Sequence, residues 1–180
     1  MKATETKLKG CFVIEPAVFK DSRGYFFESF NAPKFEELTG QNSHFVQDNQ
    51  SASTYGVIRG LHFQKGEHAQ AKLVRVIEGA VLDVAVDIRP DSDTFGQWVS
   101  VELTAENNLQ LYVPRGFAHG FSVISETAVF AYKCDNTYNK ASEGGIIYND
   151  TSLGIDWGIP EASRSLSEKD LALSGIESLK

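Results

Sequence analysis

Residues 56–64, with the sequence GVIRGLHFQ, place an arginine and a histidine three positions apart among glycines and bulky apolar side chains. A histidine titrates near neutral pH and can accept a proton when a carboxylate orients it, so His62 is a candidate general base. The same sequence also fits a core histidine bonded to the backbone, or a metal ligand. The chain has four histidines, of which His44 and His68 lie in polar stretches and are expected at the surface.

Two tyrosines in the segment AYKCDNTY could supply the matching acid. Tyr132 falls inside a predicted strand and Tyr138 follows the turn DNT, so one should project into a barrel and the other lie near its mouth. A phenol can donate a proton to a carbanion, and an exposed ring can stack on a nucleobase. The spacing alone is also typical of core or rim residues.

The segment PRGFAHGF resembles the second motif of the cupin superfamily, in which the histidine, here His119, is a metal ligand. The first cupin motif would place a glutamate seven residues before Gly79, where this chain has Lys72, and histidines at the positions of Gly66 and His68. A lysine ammonium has no lone pair and repels a cation. The sequence therefore predicts a cupin-like barrel without a metal, whose histidines and lysine perform acid–base chemistry and stabilise an oxyanion.

Composition limits the remaining possibilities. The chain has 180 residues, 42% of them apolar, which predicts a single domain over residues 1–180. Its formal net charge of −7 argues against a nucleic-acid binder. A polar N-terminal stretch and the lack of a long apolar segment predict a cytoplasmic protein without a membrane span. Cys11 and Cys134 are too few for a disulfide framework and are expected to be buried.

The elements that must position these residues are mostly strands. Five segments between residues 72 and 134 alternate with period two and are bounded by Gly, Pro, Asn or Asp, which favours an all-β jelly roll or sandwich. In residues 80–89 the apolar side chains share one face, and Asp83 and Asp87 share the other. Short peripheral helices are predicted over residues 32–40 and 165–173, the second with a capping box from Ser165 to Glu168. Residues 144–162, which carry Trp157, should form an ordered tail on the barrel.

Along nearly its whole length the chain resembles the dTDP-4-dehydrorhamnose 3,5-epimerase family. The matching stretches are DSRGYFFESF, FVQDNQSAS, GVIRGLHFQ, AKLVRVIEGAVLDVAVDIRPDSDTFGQW, YVPRGFAHGF, YKCDNTY, EGGIIYNDTSLGIDW and LSEKD. The resemblance implies a cupin-like fold and a cofactor-independent isomerase that inverts carbons 3 and 5 of dTDP-4-dehydro-6-deoxy-D-glucose in dTDP-L-rhamnose biosynthesis. It also implies a homodimer.

The resemblance assigns catalytic roles to four residues. His62 is similar to the family's proton acceptor, and Asp170 to the carboxylate that orients it. Tyr132 is similar to the proton donor on the opposite face of the sugar. Lys72 takes the place of the residue that steadies the enolate oxygen.

Further positions match the family's substrate contacts, namely Arg23, Glu28, Gln47, Asp48, Asn49, Arg59, His119, Tyr138, Glu143 and Lys169. Arg59 resembles a ligand of the diphosphate, and Tyr138 the ring on which thymine stacks. Arg23 and Glu28 are similar to residues that reach across a dimer interface. The alternatives are a mono-epimerase or ketoisomerase of a related nucleotide sugar, a non-catalytic nucleotide-sugar binding module, and a metal-dependent cupin.

Overall fold

Two antiparallel sheets dominate the computed structural model, which describes residues 1–42 and 44–179. The strands in this part of the chain are β1 (Lys2–Glu5), β2 (Phe12–Glu15), β3 (Phe19–Asp21), β4 (Gly24–Phe26), β5 (Gln47–Thr54), β6 (Ile58–Gln64), β7 (Lys72–Glu78), β8 (Ala80–Asp87), β9 (Trp98–Thr104), β10 (Gln110–Val113), β11 (Phe117–Val123), β12 (Thr127–Cys134) and β13 (Glu143–Gly145). The larger sheet has the order β1-β2-β10-β7-β12-β5 and the smaller sheet β13-β6-β11-β8-β9, while β3 and β4 form a separate hairpin. The predicted all-β, cupin-like jelly roll is confirmed.

The main core lies between the two sheets. It includes Val74 and Val76 of the larger sheet, and Val81, Ala85 and Phe121 of the smaller one. Between residues 72 and 134 the structure has six strands rather than the five predicted, because β11 is also a strand. All seven of its residues are buried, so the alternation that marks a half-exposed strand is missing there.

Strand β8 shows the predicted alternation, with both of its faces buried. Ala85 points into the core between the sheets, whereas Val84 and Val86 face outward and pack under the tail with Trp157. The apolar face of β8 is therefore the outer one, and its Asp83 faces the barrel interior. Burial of Trp157 at 1% exposure confirms the prediction of a packed tail.

Helix α1 (Ala32–Thr39) confirms the first predicted helix. The side chain of Asn31 caps its start by accepting a hydrogen bond from the Lys34 N–H at 3.2 Å. Gly40 ends it in the left-handed conformation, with φ of 65°. Phe35 anchors the helix on the outer face of the larger sheet, where its ring lies 5.0 Å from that of Tyr112.

Helix α2 (Glu168–Leu171) is shorter than the predicted 165–173 helix, and the capping box at Ser165 is wrong. Backbone bonds tie Ser165 to the chain at the start of β6, since its N–H donates to Gly56 and its carbonyl accepts from Ile58. The cap is Ser167, whose hydroxyl accepts from the Asp170 N–H at 3.1 Å. Four short 3-10 helices also lie in the described residues. One follows β6, one precedes β13, one follows Pro160 and one follows Gly175.

Three smaller expectations concern single side chains and membrane spans. Cys11 and Cys134 are fully buried, as predicted. His44 is exposed as expected, but His68 is half-buried because its Nε2 bonds to Asn139 at 3.1 Å. Within the described residues, every helix is too short or too polar to cross a bilayer.

Candidate active site

A cleft of about 580 Å³ opens between strands β5 and β12 of the larger sheet and β6 and β11 of the smaller one. Helix α2 and the residues before it close one end. Eight of the predicted site residues line this cleft, namely Asn49, Arg59, His62, Lys72, His119, Tyr132, Lys169 and Asp170. Six of these eight can carry a charge at neutral pH or near it, so the cleft is a polar site built into an apolar barrel.

A short polar contact in the cleft joins His62 and Asp170. His62 Nε2 lies 2.6 Å from Asp170 Oδ1, and Asp170 is 4% exposed. An ionised carboxylate only accepts hydrogen bonds, so Nε2 carries the proton and Nδ1 keeps its lone pair. Burial lowers the pKa of His62 below its usual 6.5, and the bond from Asp170 opposes that fall. A neutral, oriented imidazole at pH 7 is what a general base requires.

Strands β6 and β11 bring a second histidine next to the first. His119 is the register partner of His62. The two backbones approach closely here, since a Cβ built on Gly120 would lie 2.7 Å from the carbonyl oxygen of Arg59. A Cβ on Gly60 would lie 2.6 Å from the Cα of Gly120. Gly60 and Gly120 are thus a steric requirement of this strand pair.

A buried carboxylate holds His119. Both oxygens of Asp83 lie 3.0 Å from His119 Nε2, and Asp83 is fully buried on β8. The sequence reasoning did not place Asp83 in the site. Its only signal was a carboxylate on one face of an otherwise apolar strand.

The larger sheet supplies a phenol and an ammonium. Tyr132 on β12 and Lys72 at the start of β7 line the cleft together, and Lys72 Nζ lies 5.8 Å from the centre of the Tyr132 ring. Burial raises the pKa of Tyr132 above 10, so its phenol keeps its proton at pH 7. Burial lowers the pKa of Lys72, and the neighbouring Cys134, Asp83 and Glu143 raise it.

A smaller cavity of about 320 Å³ continues from the cleft and shares Asn49, His62, Lys72 and Tyr132 with it. The further predicted site residues that line it are Gln47, Tyr138 and Glu143. The Tyr138 hydroxyl donates to Glu143 at 3.2 Å, and Lys169 Nζ lies 2.5 Å from the other oxygen of Glu143. The Tyr138 ring is 52% exposed and offers an open aromatic face.

Three predicted site residues lie outside both cavities. Asp48 points to the other face of β5, where it pairs with Lys133 at 3.0 Å. Arg23 sits on the β3–β4 hairpin with 88% of its side chain exposed. Glu28 pairs with Lys34 at 2.5 Å beside helix α1. Within one chain, these three side chains do not reach the cleft.

The residues at the cupin metal position do not fit a metal. Lys72 replaces the glutamate and presents a donor-only ammonium to the cleft. His68 Nε2 bonds to Asn139, which leaves His119 as the one histidine of the cupin ligand positions that lines the cleft. Across the described parts of the chain, no group of three or more His, Cys, Asp or Glu side chains is arranged to hold a metal ion.

One wall of this jelly-roll cleft carries a neutral histidine oriented by a carboxylate, and the other carries a protonated phenol. This arrangement defines a cupin-like enzyme of acid–base type. Comparison with known proteins gives its family. Residues 5–178 match the family model described as dTDP-4-dehydrorhamnose 3,5-epimerase. The chain belongs to this family and is an isomerase.

Individual relatives agree closely in sequence and structure. The dTDP-4-dehydrorhamnose 3,5-epimerase of Salmonella typhimurium is 54% identical over 172 residues, covering 96% of this chain and 93% of the relative. The crystal structure of the Elizabethkingia anophelis enzyme of that name is 64% identical, with a TM-score of 0.96 and coverage of 99% and 97%. The 3,5-epimerase of Legionella pneumophila, solved in complex with dTDP-4-keto-L-rhamnose, is 49% identical, with a TM-score of 0.95 and coverage of 99% and 94%.

Proposed function

We propose that this chain converts dTDP-4-dehydro-6-deoxy-D-glucose to dTDP-4-dehydro-L-rhamnose by inverting carbons 3 and 5, as a step of dTDP-L-rhamnose biosynthesis. Both carbons flank the ketone at carbon 4, so removing the hydrogen from either one gives an enolate whose charge rests on the ketone oxygen. A proton returned to the opposite face inverts the centre. The reaction needs an acid, a base and a cation, and no cofactor.

One observation carries the proposal: a base and an acid lie on opposite walls of one cleft. His62 on the smaller sheet is the base, oriented by Asp170 at 2.6 Å. Tyr132 on the larger sheet is the acid, with a pKa that burial raises. A sugar ring between the two sheets then presents one face to each residue, which is the geometry that inversion requires.

Lys72 and His119 supply the electrostatic part of the reaction. Both line the cleft together with His62 and Tyr132. There they can stabilise the charge that the ketone oxygen of a bound sugar gains. Donors aimed at a developing oxyanion stabilise it strongly because the site excludes water, and losing one commonly costs about 2.7–4 kcal/mol in the barrier.

The remaining contacts hold the nucleotide. Arg59, whose Nε donates to Ser53 at 3.1 Å, and Lys169 lie at the rim and bind the diphosphate. The Tyr138 ring stacks on thymine. The side chains of Gln47, Asn49 and Glu143 line the adjoining cavity and contact the nucleoside, and Asp48 belongs to the same substrate-contact segment.

The enzyme acts as a homodimer in this proposal. The β3–β4 hairpin exposes Phe19, Tyr25 and Phe26 at 66%, 61% and 67%, an apolar surface that a second copy would cover. Packed on a partner, the hairpin would carry Arg23, and the adjoining Glu28, towards the partner's cleft.

Residues 1–180 form one domain in this scheme. Two buried, unpaired thiols suit the reducing cytoplasm, where we place the enzyme.

The test is incubation with dTDP-4-dehydro-6-deoxy-D-glucose in heavy water, without added metal or nicotinamide, followed by NMR. Deuterium uptake with inversion at both carbons is the expected result. Uptake at one carbon only would establish a mono-epimerase instead, and no uptake would exclude this substrate. The His62→Ala variant should abolish exchange at both carbons while still binding the substrate, so residual turnover near wild type would contradict the role of His62.

A further inference from the structure

Asp83 is the one carboxylate of β8 that points at the cleft residues. It is fully buried, and its two oxygens lie at the same distance, 3.0 Å, from His119 Nε2. A carboxylate oxygen accepts, so His119 Nε2 donates its proton to Asp83. Burial raises the pKa of Asp83, and the neighbouring His119 and Lys72 lower it. His119 Nδ1 then keeps its lone pair, and the ring lines the cleft.

The same carboxylate stands near Lys72. Burial lowers the pKa of Lys72, and the negative charge of Asp83 raises it. The other groups that face this ammonium are Cys134 on β12, Glu143 on β13, the Tyr132 ring and the His62 imidazole. Burial raises the pKa of the Cys134 thiol to about 11, which leaves it neutral at pH 7. Glu143 is already paired with Lys169 at 2.5 Å. Asp83 is therefore the buried carboxylate whose negative charge favours the protonated form of Lys72.

We infer that Asp83 is a positioning residue of the reaction, which fixes one tautomer of His119 and keeps Lys72 protonated beneath the ketone oxygen. The inference rests on the proposed function. Asp83 does not line the cleft, whereas His119 and Lys72 do, so it acts through them. Without it, an ammonium in a dry cleft loses its proton more easily, and the enolate loses the cation that stabilises it.

The test compares Asp83→Asn with Asp87→Asn. Asp87 is a matched control because it lies on the same face of the same strand and is also fully buried, but it binds Arg89, Ser92 and Thr94 away from the cleft. For Asp83→Asn we expect kcat to fall on the order of 10²-fold with KM little changed, as for loss of an oxyanion interaction. The alkaline limb of its pH–rate profile should move down by about one pH unit or more, because a charge close to Lys72 is gone.

Asp87→Asn should lower the melting temperature and leave the alkaline limb where it is in wild type. If the two variants lose stability alike and share the wild-type pH profile, Asp83 is merely structural and the inference is wrong. If wild type itself exchanges no deuterium at either carbon, the proposed function fails and the role of Asp83 in it fails with it.

A second measurement needs no activity and no variant at Asp83. Nitrogen-15 NMR of the imidazoles in wild type, with His119 assigned through a His119→Gln variant, reports which ring nitrogen carries the proton. We expect His119 with its proton on Nε2. A proton found on Nδ1 would show that Asp83 does not accept from this ring, and would overturn the inference even if Asp83→Asn fails to fold.

Discussion

At the residue scale, the His62–Asp170 pair makes a prediction about pH. The base must be neutral, so the rate should fall as the pH drops through the pKa of His62, which lies below 6.5. The hydrogen bond and the charge of Asp170 both raise that pKa. Asp170→Asn removes the charge, so its acid limb should lie at lower pH than in wild type, while the plateau falls on the order of 10²-fold or more because the ring is no longer oriented. Profiles of kcat/KM from pH 4 to 8 measure both effects, and a limb moved to higher pH would contradict this electrostatic account.

Tyr132 separates proton removal from proton return. Tyr132→Phe keeps the ring under Lys72 but loses the phenolic proton, so deuterium exchange should persist while inversion fails, most clearly at carbon 5. Tyr112→Phe is the control, because Tyr112 is a buried tyrosine of the same sheet that lies outside the cleft. Exchange and inversion are read from the same NMR time course. An equal loss of both in Tyr132→Phe would make this residue a substrate-positioning group.

At the scale of elements, the close pairing of β6 and β11 sets the two histidines side by side. In Gly120→Ala the new methyl group would meet the Arg59 carbonyl oxygen at 2.7 Å and the Gly60 Cα at 3.1 Å. The strands must separate, which should destabilise the fold by about 1–3 kcal/mol and lower kcat further than the stability loss alone explains. Gly154→Ala is the control for a loss of stability without strand separation, because its φ of 58° strains an alanine while a Cβ there meets nothing within 4 Å. Denaturant unfolding and kcat would be measured on both, and equal behaviour of the two variants would refute the packing argument.

The same scale shows what sequence could and could not predict. Period-two alternation located the strands that carry Lys72 and Tyr132, because half-exposed strands leave that pattern. The pattern could not show that the polar face of β8 is the inner one, since both faces are buried and a tail covers the apolar face. Asp83 escaped notice for this reason. Ser165 resembled a helix cap, but its backbone pairs with the start of β6, a contact that no local pattern records.

Asp170 illustrates a further limit. It lies 108 residues after His62, and spacing alone gives no reason to join them. Only the resemblance to a family linked the two residues, and the structure then brought them to 2.6 Å. Arg23 and Glu28 were likewise named through the resemblance, and a single chain leaves both away from the cleft.

At the scale of the whole molecule, the exposed hairpin makes a prediction about the dimer. If Arg23 acts on the partner's cleft, mixing inactive His62→Ala with impaired Arg23→Ala should restore activity, because each mixed dimer contains one intact site. Random exchange of subunits with two-fold symmetry leaves about a quarter of all sites intact. Lys20→Ala, an exposed cation on the same hairpin, is the control and should show near wild-type activity on its own. No gain on mixing, with subunit exchange confirmed by mass, would show that Arg23 acts within its own chain or not at all.

The long separation between His62 and Asp170 also bears on how the molecule folds. Closing a loop of 108 residues carries a larger entropic cost than forming the neighbouring hairpins, so contacts of this kind form late. In refolding from denaturant, the far-UV circular dichroism of the strands should therefore recover before catalytic activity does. Catalysis would then report completion of the native state, and a chain with a nearly finished barrel would remain inactive until its tail docks.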